Sequence, residues 1–146
     1  MPAVPPPPSA GATAPAAETA QYVREVADLV NAERVKAGCT VMVKVNSKLT
    51  QAAQAHSEDQ DRRQTMTHSG SDGSQADARI KAAGYSWSNW GENVAVSPSA
   101  TAVMAAWMNS PGHRSNILNC AYQDIGVGFS AAKGGPWWTQ VFATPR

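Results

Sequence analysis

The chain has 146 residues, of which 42% are apolar, and its 12 lysines and arginines nearly balance its 11 aspartates and glutamates. This length and apolar content suit a single domain with one hydrophobic core. The small net charge gives no long-range attraction for nucleic acid or for an anionic membrane surface, so we expect neither partner. The sequence also lacks the apolar run of roughly 20 residues that a transmembrane helix needs.

The first 17 residues contain most of the chain's prolines, many alanines and no charged residue. This composition predicts a disordered, partly polyproline linker or tether, because it offers no side chains with which to bury a core face. The opening MPAVPPPPSA has neither the basic start nor the apolar stretch of a signal peptide. Residues 18–146 are predicted to form the single folded domain.

Helices are predicted where apolar residues recur at helical spacing between capping and stop signals. They cover residues 19–38, a segment beginning at 46 or 47 and reaching at least His56, and residues 75–83 and 99–109. The segment VMVKV at 41–45 is either a strand or an extended connection, while 124–130 and 137–143 form a β-hairpin. Helices early and strands late predict an α+β fold in which a small antiparallel sheet is covered by helices.

The two cysteines, Cys39 and Cys120, are far apart and have no CxxC spacing, so a disulfide is the simplest interpretation. In the chain-entropy model such a loop contributes about 4.5 kcal/mol, and the bond persists only in an oxidising compartment. We therefore expect a secreted protein whose signal peptide has been removed. The alternative is a cytosolic protein with two buried free thiols.

Three polar side chains in the middle of the chain are candidate site residues. His68 lies in the turn-rich MTHSGSDGS, Glu92 in GEN, which we interpret as a tight turn, and His113 at the start of a short HRSNIL helix. Two histidines and one carboxylate suit zinc when a fourth position is left to water. The structural alternatives are that His68 caps a turn, Glu92 accepts backbone N–H bonds and His113 caps its helix.

Other candidates have more ordinary explanations. His56 falls on the apolar stripe of its helix, which predicts a buried ring hydrogen-bonded to a carbonyl or carboxylate. Ser57 and Ser69 each follow a histidine, but no GxSxG elbow supports a serine hydrolase. The tryptophans either line an apolar groove or complete the core. They are Trp87, Trp90, Trp107, Trp137 and Trp138.

A series of motifs runs along the chain in the order AAQAHSEDQ, MTHSGSDGS, RIKAAGY, GENVAVS, AVMAAWMNSPGHRSNIL, DIGVGF and WWTQVF. This series resembles the bacterial branch of the CAP superfamily, also called the SCP domain, over residues 20–143. The resemblance implies a three-layer α-β-α sandwich with a central antiparallel sheet, and a secreted protein.

Eukaryotic members of the superfamily have two histidines and two glutamates in a cleft that can bind a divalent metal. His68 matches the first histidine and Glu92 the glutamate of GEN. This chain has Ser110 in place of the second glutamate and Trp137 in place of the second histidine, whereas the bacterial branch has a GHR histidine, here His113. The resemblance therefore implies a reduced cleft that also includes Ser110, with His56 nearby or behind it.

The leading functional hypothesis is a secreted or envelope-associated, non-enzymatic binding module. It would have a polar cleft that binds zinc or another divalent metal, and an apolar groove for a lipid or sterol-like ligand. The first alternative is a metal-dependent hydrolase in which Glu92 is a metal ligand or the general base. The second is an adhesion or immune-interaction domain that binds an extracellular protein.

Overall fold

A computed structural model describes the backbone of residues 14–146 and the side chains of residues 17–146. It contains five helices and four strands, in the order α1 Ala14–Lys36, β1 Lys44–Val45, α2 Ser47–Arg63, α3 Ala76–Ala82, β2 Trp87–Val96, α4 Ala100–Met108, α5 Pro111–Leu118, β3 Asp124–Ser130 and β4 Trp137–Pro145. None of the described helices combines the length and apolar character needed to cross a membrane.

The four strands form one sheet in the order β1-β3-β4-β2. The β3–β4 hairpin predicted from the sequence is present, and β2 pairs antiparallel with the other side of β4. The short strand β1 adds a parallel edge beside β3, so the sheet is not antiparallel throughout. The long strand β2 therefore forms the opposite edge.

Helices cover both faces of the sheet, which confirms the three-layer α-β-α fold. Side chains alternate along β4, so that Trp138 and Phe142 join the larger core cluster with α1, α4 and α5, while Val141 joins a smaller cluster with α2 and α3. Helix α2 lies very close to β3, because a side chain at Gly126 or Gly128 would overlap the α2 backbone. The alternating glycines of DIGVGF thus fix the separation between helix and sheet.

Two helix starts follow the predicted capping chemistry. The Asn46 side chain accepts hydrogen bonds from the backbone N–H groups of Lys48 and Leu49 at the start of α2. Ser99 accepts from Ala102 N at the start of α4. These side chains satisfy N–H groups that have no partner within their own helix.

The structure corrects two sequence expectations and decides a third that was left open. Helix α1 begins at Ala14, five residues before the predicted start, so 14–17 of the predicted linker are helical, while 1–13 lie outside the described residues. The segment 41–45, predicted as either a strand or an extended connection, forms a strand only at its last two residues. Strand β2 was not predicted at all, because its polar residues interrupt the apolar alternation that identifies a strand.

The disulfide between Cys39 and Cys120 is present, with a Cα–Cα distance of 5.4 Å. It joins the segment after α1 to the segment after α5 across 81 positions of sequence. The alternative of two buried free thiols is therefore wrong.

The carboxylate of Asp61 holds the turn between β3 and β4. Its oxygens accept hydrogen bonds from Ser130 Oγ at 2.7 Å, Ala132 N at 2.6 Å and Lys133 N at 3.1 Å. Burial raises the pKa of this carboxyl group, but the hydrogen bonds outweigh burial and place the pKa below its ordinary value of 3.8. Asp61 therefore stabilises the fold in its charged form.

We expect Asp61→Asn to lower the free energy of unfolding by about 1–3 kcal/mol at neutral pH, because the neutral amide has only one acceptor oxygen. A depressed folded-state pKa stabilises the fold above the unfolded pKa and loses that effect as the pH falls through the folded value. The difference from wild type should therefore shrink in acid. Urea unfolding at several pH values measures it, with the exposed Asp28→Asn on α1 as control. A deficit that does not change with pH would contradict the assignment.

Candidate ligand-binding cleft

The GEN motif lies within the edge strand β2, and not in the tight turn that the sequence suggested. Its three residues alternate between the faces of the sheet, with Glu92 directed to the α3 side and Gly91 and Asn93 to the α5 side. A Cβ at Gly91 would lie 2.7 Å from Tyr122 Oη and 2.8 Å from Asn116 Oδ1. Glycine at this position therefore lets Asn116 of α5 and Tyr122 pack against the strand without moving their side chains.

Glu92 carries a buried carboxylate that is paired with two cationic or N–H-donating side chains. Its side chain is 2% exposed. His68 donates from Nδ1 to Oε1 at 2.8 Å, since a carboxylate can only accept, and Arg79 Nη2 lies 2.8 Å from Oε2. The proposal that Glu92 mainly accepts backbone N–H bonds does not describe this site, because both oxygens bond to side chains.

The loop that carries His68 is held by α2 on one side and by Arg79 on the other. His56 Nε2 donates to Thr67 O at 2.7 Å, and Thr67 N donates to Gln60 Oε1 at 3.0 Å. Arg79 Nη2 also donates to His68 O at 2.9 Å. The loop backbone is therefore fixed immediately before and at His68.

His56 is buried, as its place on the α2 stripe predicted, and bonds to a backbone carbonyl. Burial is the largest influence on its pKa and lowers it, against a smaller raising effect of Glu92. The ring is thus favoured in the neutral form, with the proton on Nε2 that the bond to Thr67 requires. Because His56 bonds to the carbonyl of Thr67, the residue before His68, it fixes the loop backbone that positions His68.

The α5 helix is attached to the other side of GEN by Asn93 and Asn116. Asn93 Nδ2 donates to His113 O at 3.1 Å, and Asn116 Nδ2 donates to Asn93 Oδ1 at 2.9 Å. His113 is the third residue of α5. Burial of its ring, followed by the charge of the nearby His68, lowers its pKa. The three predicted cleft residues therefore gather at one edge of the sheet.

A cavity of about 340 Å³ lies at this edge. It is lined by His68, Gln75, Ala76, Trp90, Gly91, Glu92 and Asn116. The lining combines an imidazole, a carboxylate and two amides with one indole ring. His113 and Ser110 lie outside this lining, and Ser110 precedes α5 without a side-chain capping bond.

The tryptophans mostly complete the core. Trp107, Trp137 and Trp138 are buried, whereas Trp87 and Trp90 are half-buried and pack edge to face on the outer part of β2. Trp90 alone among the five lines the cavity. A continuous tryptophan-lined groove is therefore absent from the described part of the chain.

The predicted zinc ligands do not fit a metal as they are arranged here. Both oxygens of Glu92 and Nδ1 of His68 are already engaged with one another and with Arg79. Within residues 17–146, no group of three His, Cys, Asp or Glu side chains could hold a metal ion. A metal at Glu92 would therefore first have to break these hydrogen bonds.

We expect Glu92→Gln to lower the pKa of His68. The hydrogen bond that His68 donates to Glu92 is the main cause that raises the His68 pKa above 6.5, whereas burial and, to a smaller extent, Arg79 lower it and would remain in the variant. A raised pKa means that the His68–Glu92 pair stabilises the fold below the unfolded pKa and that this effect is lost as the pH rises through the folded value. NMR titration of the imidazole signals measures the shift.

The exposed Glu58→Gln on α2 provides a charge-matched control for this titration. It should leave the His68 pKa unchanged. An unchanged pKa in Glu92→Gln itself would contradict the pairing.

Sequence reasoning missed three residues of the site, Gln75, Arg79 and Asn116, and named Trp90 only as one of five tryptophans that could line a groove or complete the core. Arg79 was quoted only as part of the RIKAAGY motif. One signal was available, because Arg79 lies three positions after the buried Ala76 and adjoins Ile80, so it borders the buried face of α3. The contact with Glu92 depends on how α3 packs against β2, which no local pattern shows.

Comparison with known proteins agrees with this architecture. The profile of the cysteine-rich secretory protein family, CAP, matches residues 27–142. The Bacillus subtilis protein YkwD is 39% identical over 123 residues, which are 83% of this chain and 46% of YkwD. The Bacillus subtilis membrane protein YlbC is 29% identical over 106 residues, 72% of this chain and 30% of YlbC. The chain thus spans less than half the length of these two relatives.

Two solved structures share the fold. An extracellular SCP-domain protein of Bacillus anthracis has a TM-score of 0.79 at 24% identity, over 86% of this chain and 41% of that chain. An outer surface protein of Borrelia burgdorferi has a TM-score of 0.77 at 19% identity, over 84% of this chain and 92% of that chain. Because the family profile covers most of the chain, from α1 to β4, the chain belongs to the cysteine-rich secretory protein (CAP) family.

Proposed function

We propose that this chain is an extracellular, non-enzymatic binding module that holds a small, uncharged polar ligand in the cleft beside β2. The disulfide supports an oxidising compartment. Two proteins with this fold are described as extracellular or as an outer surface protein, which supports the same location. The cavity carries the proposal, because its volume of about 340 Å³ falls in the range of small-molecule sites.

The chemistry of the lining favours a ligand that is rich in hydroxyl or amide groups. His68, Gln75 and Asn116 offer both donors and acceptors, while Trp90 adds a flat apolar surface. Glu92 is neutralised by Arg79, so the cleft has no free carboxylate to attract a cation. A sugar ring fits this combination, since its hydroxyl groups can bond to the polar side chains while its apolar face packs on an indole.

The absence of an activated nucleophile at the two candidate serines supports a binding role. Ser57 Oγ bonds to Thr139 Oγ1 at 2.8 Å, and Ser69 Oγ accepts from Gln75 Nε2 at 2.7 Å. Neither bond involves an imidazole, so these serines are not activated by a histidine base.

The test is a titration with N,N′-diacetylchitobiose and, separately, with oleate, followed by NMR of the labelled protein. We expect saturable shifts of His68 Hε1, the Trp90 indole and the Asn116 amide with the sugar. His68→Ala should weaken them at least about 10-fold, since one lost hydrogen bond is worth about 1.4 kcal/mol or more in a desolvated site. Arg114→Ala, exposed on α5, is the control. Saturable binding of oleate alone would favour the lipid ligand, and shifts confined to residues outside the cleft would contradict the proposal.

One observation favours a second candidate, a hydrolase without a metal. The bond from His68 Nδ1 to Glu92 places the ring proton on Nδ1 and leaves Nε2 as an acceptor on a half-exposed side chain. This orientation of a histidine by a carboxylate is the one used by general bases. His68, and not Glu92, would activate water, because Glu92 is held by Arg79. Hydrolysis that disappears in His68→Ala and follows the His68 pKa would support this candidate.

A further inference from the structure

We infer that the domain has a second ligand site, in which Nδ1 of His56 accepts a hydrogen bond from a small uncharged ligand. The ligand carries a hydroxyl or N–H group next to a compact apolar part. The site is a cavity of about 320 Å³ between α2, the loop 70–74 and the end of α3, which we call the α2–α3 cavity. It shares no lining residue with the cleft beside β2, so the inference is independent of the proposed function.

One face of α2 forms the first wall of the α2–α3 cavity. Its lining residues recur at intervals of three and four, so they lie along one stripe of the helix. They are Gln51, Ala52, Ala55, His56, Asp59 and Arg62. On the opposite side, the wall includes Ala82 and Ala83 at the end of α3. The short alanine side chains leave space between the two helices and line it with methyl groups.

His56 provides a hydrogen-bond acceptor that the protein itself leaves unused. The residue is 1% exposed, and its Nε2 donates to Thr67 O because a carbonyl oxygen can only accept. In the neutral ring that burial favours, Nδ1 then carries a lone pair and no hydrogen. This nitrogen has no hydrogen-bond partner among the residues that the structure describes. Because a buried acceptor without a donor is unfavourable, a donor that reaches His56 from the cavity gains a bond.

The charged groups of the lining favour an uncharged ligand. Asp59 is paired with Arg62, and the guanidinium of Arg79 is paired with Glu92. The remaining lining carboxylate, Asp72, is exposed to water, which screens its charge. Among these described lining residues, no buried charge is left unpaired. A cation or an anion would therefore lose its hydration without gaining a free partner.

Phenol is a suitable probe of this chemistry. Its O–H group can donate to Nδ1 of His56, and its ring can pack against the alanine methyl groups of both walls. Anisole has the same ring and oxygen atom but no hydrogen to donate. The two compounds therefore form a matched pair that separates the hydrogen bond from apolar packing.

The experiment titrates the isotope-labelled full chain with phenol and, separately, with anisole, and follows the imidazole nitrogens by NMR. We expect phenol to saturate at or below about 10 mM, an affinity within reach of so small a ligand. The Nδ1 signal of His56 should move upfield, because its lone pair accepts a hydrogen bond, while Nε2 stays protonated. Anisole should bind at least about 5-fold more weakly, since it lacks that bond.

Two variants fill the α2–α3 cavity without altering His56. Ala82→Leu extends from α3 and Ala55→Leu from α2, and both alanines are exposed, so we expect both variants to fold. Each should weaken phenol binding at least about 10-fold, because leucine takes up the space that the ring needs. Ala78→Leu, at an exposed position of α3 outside the lining, is the matched control and should bind phenol as wild type does.

Several outcomes would overturn the inference. One is the absence of saturable phenol binding. Another is binding that leaves the His56 nitrogens unchanged or persists in both cavity-filling variants, because the ligand would then lie elsewhere. Equal binding of phenol and anisole would show that the site needs no donor. None of these results bears on the sugar titration of the cleft, so the two proposals can fail separately.

Discussion

Replacing Arg34 with methionine is expected to lower the free energy of unfolding by on the order of 4 kcal/mol. Arg34 is fully buried in α1, and its guanidinium donates to four backbone carbonyl oxygens. Nη1 bonds to Ile117 O and Asn119 O, and Nη2 bonds to Val41 O and Tyr122 O, at 2.8–3.2 Å. Methionine would fill much of the space but remove a donor from each of these carbonyl groups, of which Asn119 O alone also accepts from a backbone N–H in the described structure, that of Tyr122.

The partners explain why this effect should be large. The four acceptors lie in the segment that follows α1 and in the last turn of α5 and the residues after it, on either side of the disulfide. An unsatisfied buried polar group costs about 1–3 kcal/mol. Burial lowers the pKa of Arg34, so the charge itself opposes folding and the four bonds must outweigh that cost.

Urea unfolding of Arg34→Met and Arg34→Lys measures the effect. Lysine keeps the charge but presents a single nitrogen, which cannot reach acceptors on both arms of the guanidinium, so we expect an intermediate loss. Arg24→Met, at an exposed position of the same helix, is the matched control and should be near neutral. A loss below about 1 kcal/mol in Arg34→Met would refute the role assigned to these bonds.

Removal of the disulfide in Cys39→Ala/Cys120→Ala is expected to cost about 4.5 kcal/mol. The bond closes a loop of 81 positions, and in the chain-entropy model a long loop restricts the unfolded chain strongly. Alanine at both positions avoids a free thiol that could form intermolecular bonds. Urea unfolding of the double variant, compared with wild type before and after reduction, measures the difference.

The outcome also tests the coupling between the disulfide and Arg34. Both connect the end of α1 to the segment after α5, so their effects should not be additive. The triple variant Arg34→Met/Cys39→Ala/Cys120→Ala reports this coupling if it remains folded. A disulfide contribution below about 1 kcal/mol would contradict the chain-entropy account and would indicate that the unfolded chain is already restricted near this junction.

The fold was accessible from the sequence where local patterns agreed with the tertiary structure. The α2 stripe from Leu49 to His56, the Asn46 and Ser99 caps and the β3–β4 hairpin follow from spacing and turn chemistry. Arg34 could also have been found, because it lies four residues after the buried Val30 and thus on the same face of α1. Helical spacing predicts that the Arg34 side chain is buried, but it does not show which groups accept the hydrogen bonds of the guanidinium.

Strand β2 shows where local reasoning fails. The middle of the strand has a polar residue on each face of the sheet. Glu92 bonds to Arg79 on the α3 side, and Asn93 bonds to the backbone of α5 on the other side. These two polar side chains interrupt the alternation of apolar residues that identifies a strand, so the sequence GEN was interpreted as a turn. Pairing with β4 over its whole length determines the strand nevertheless.

The sequence by itself determined the α+β class of fold through its periodicity and the disulfide through its cysteine count. The expectation that His68 and Glu92 share a cleft came from the resemblance of the ordered motifs to the CAP superfamily. The tertiary structure alone decided that the charge of Glu92 in this cleft is compensated by Arg79. Arg79 is 13 positions from Glu92, and their contact exists only because α3 packs beside β2. Burial then makes the pairing obligatory, since a charge removed from water must be compensated by the side chain that the fold places beside it.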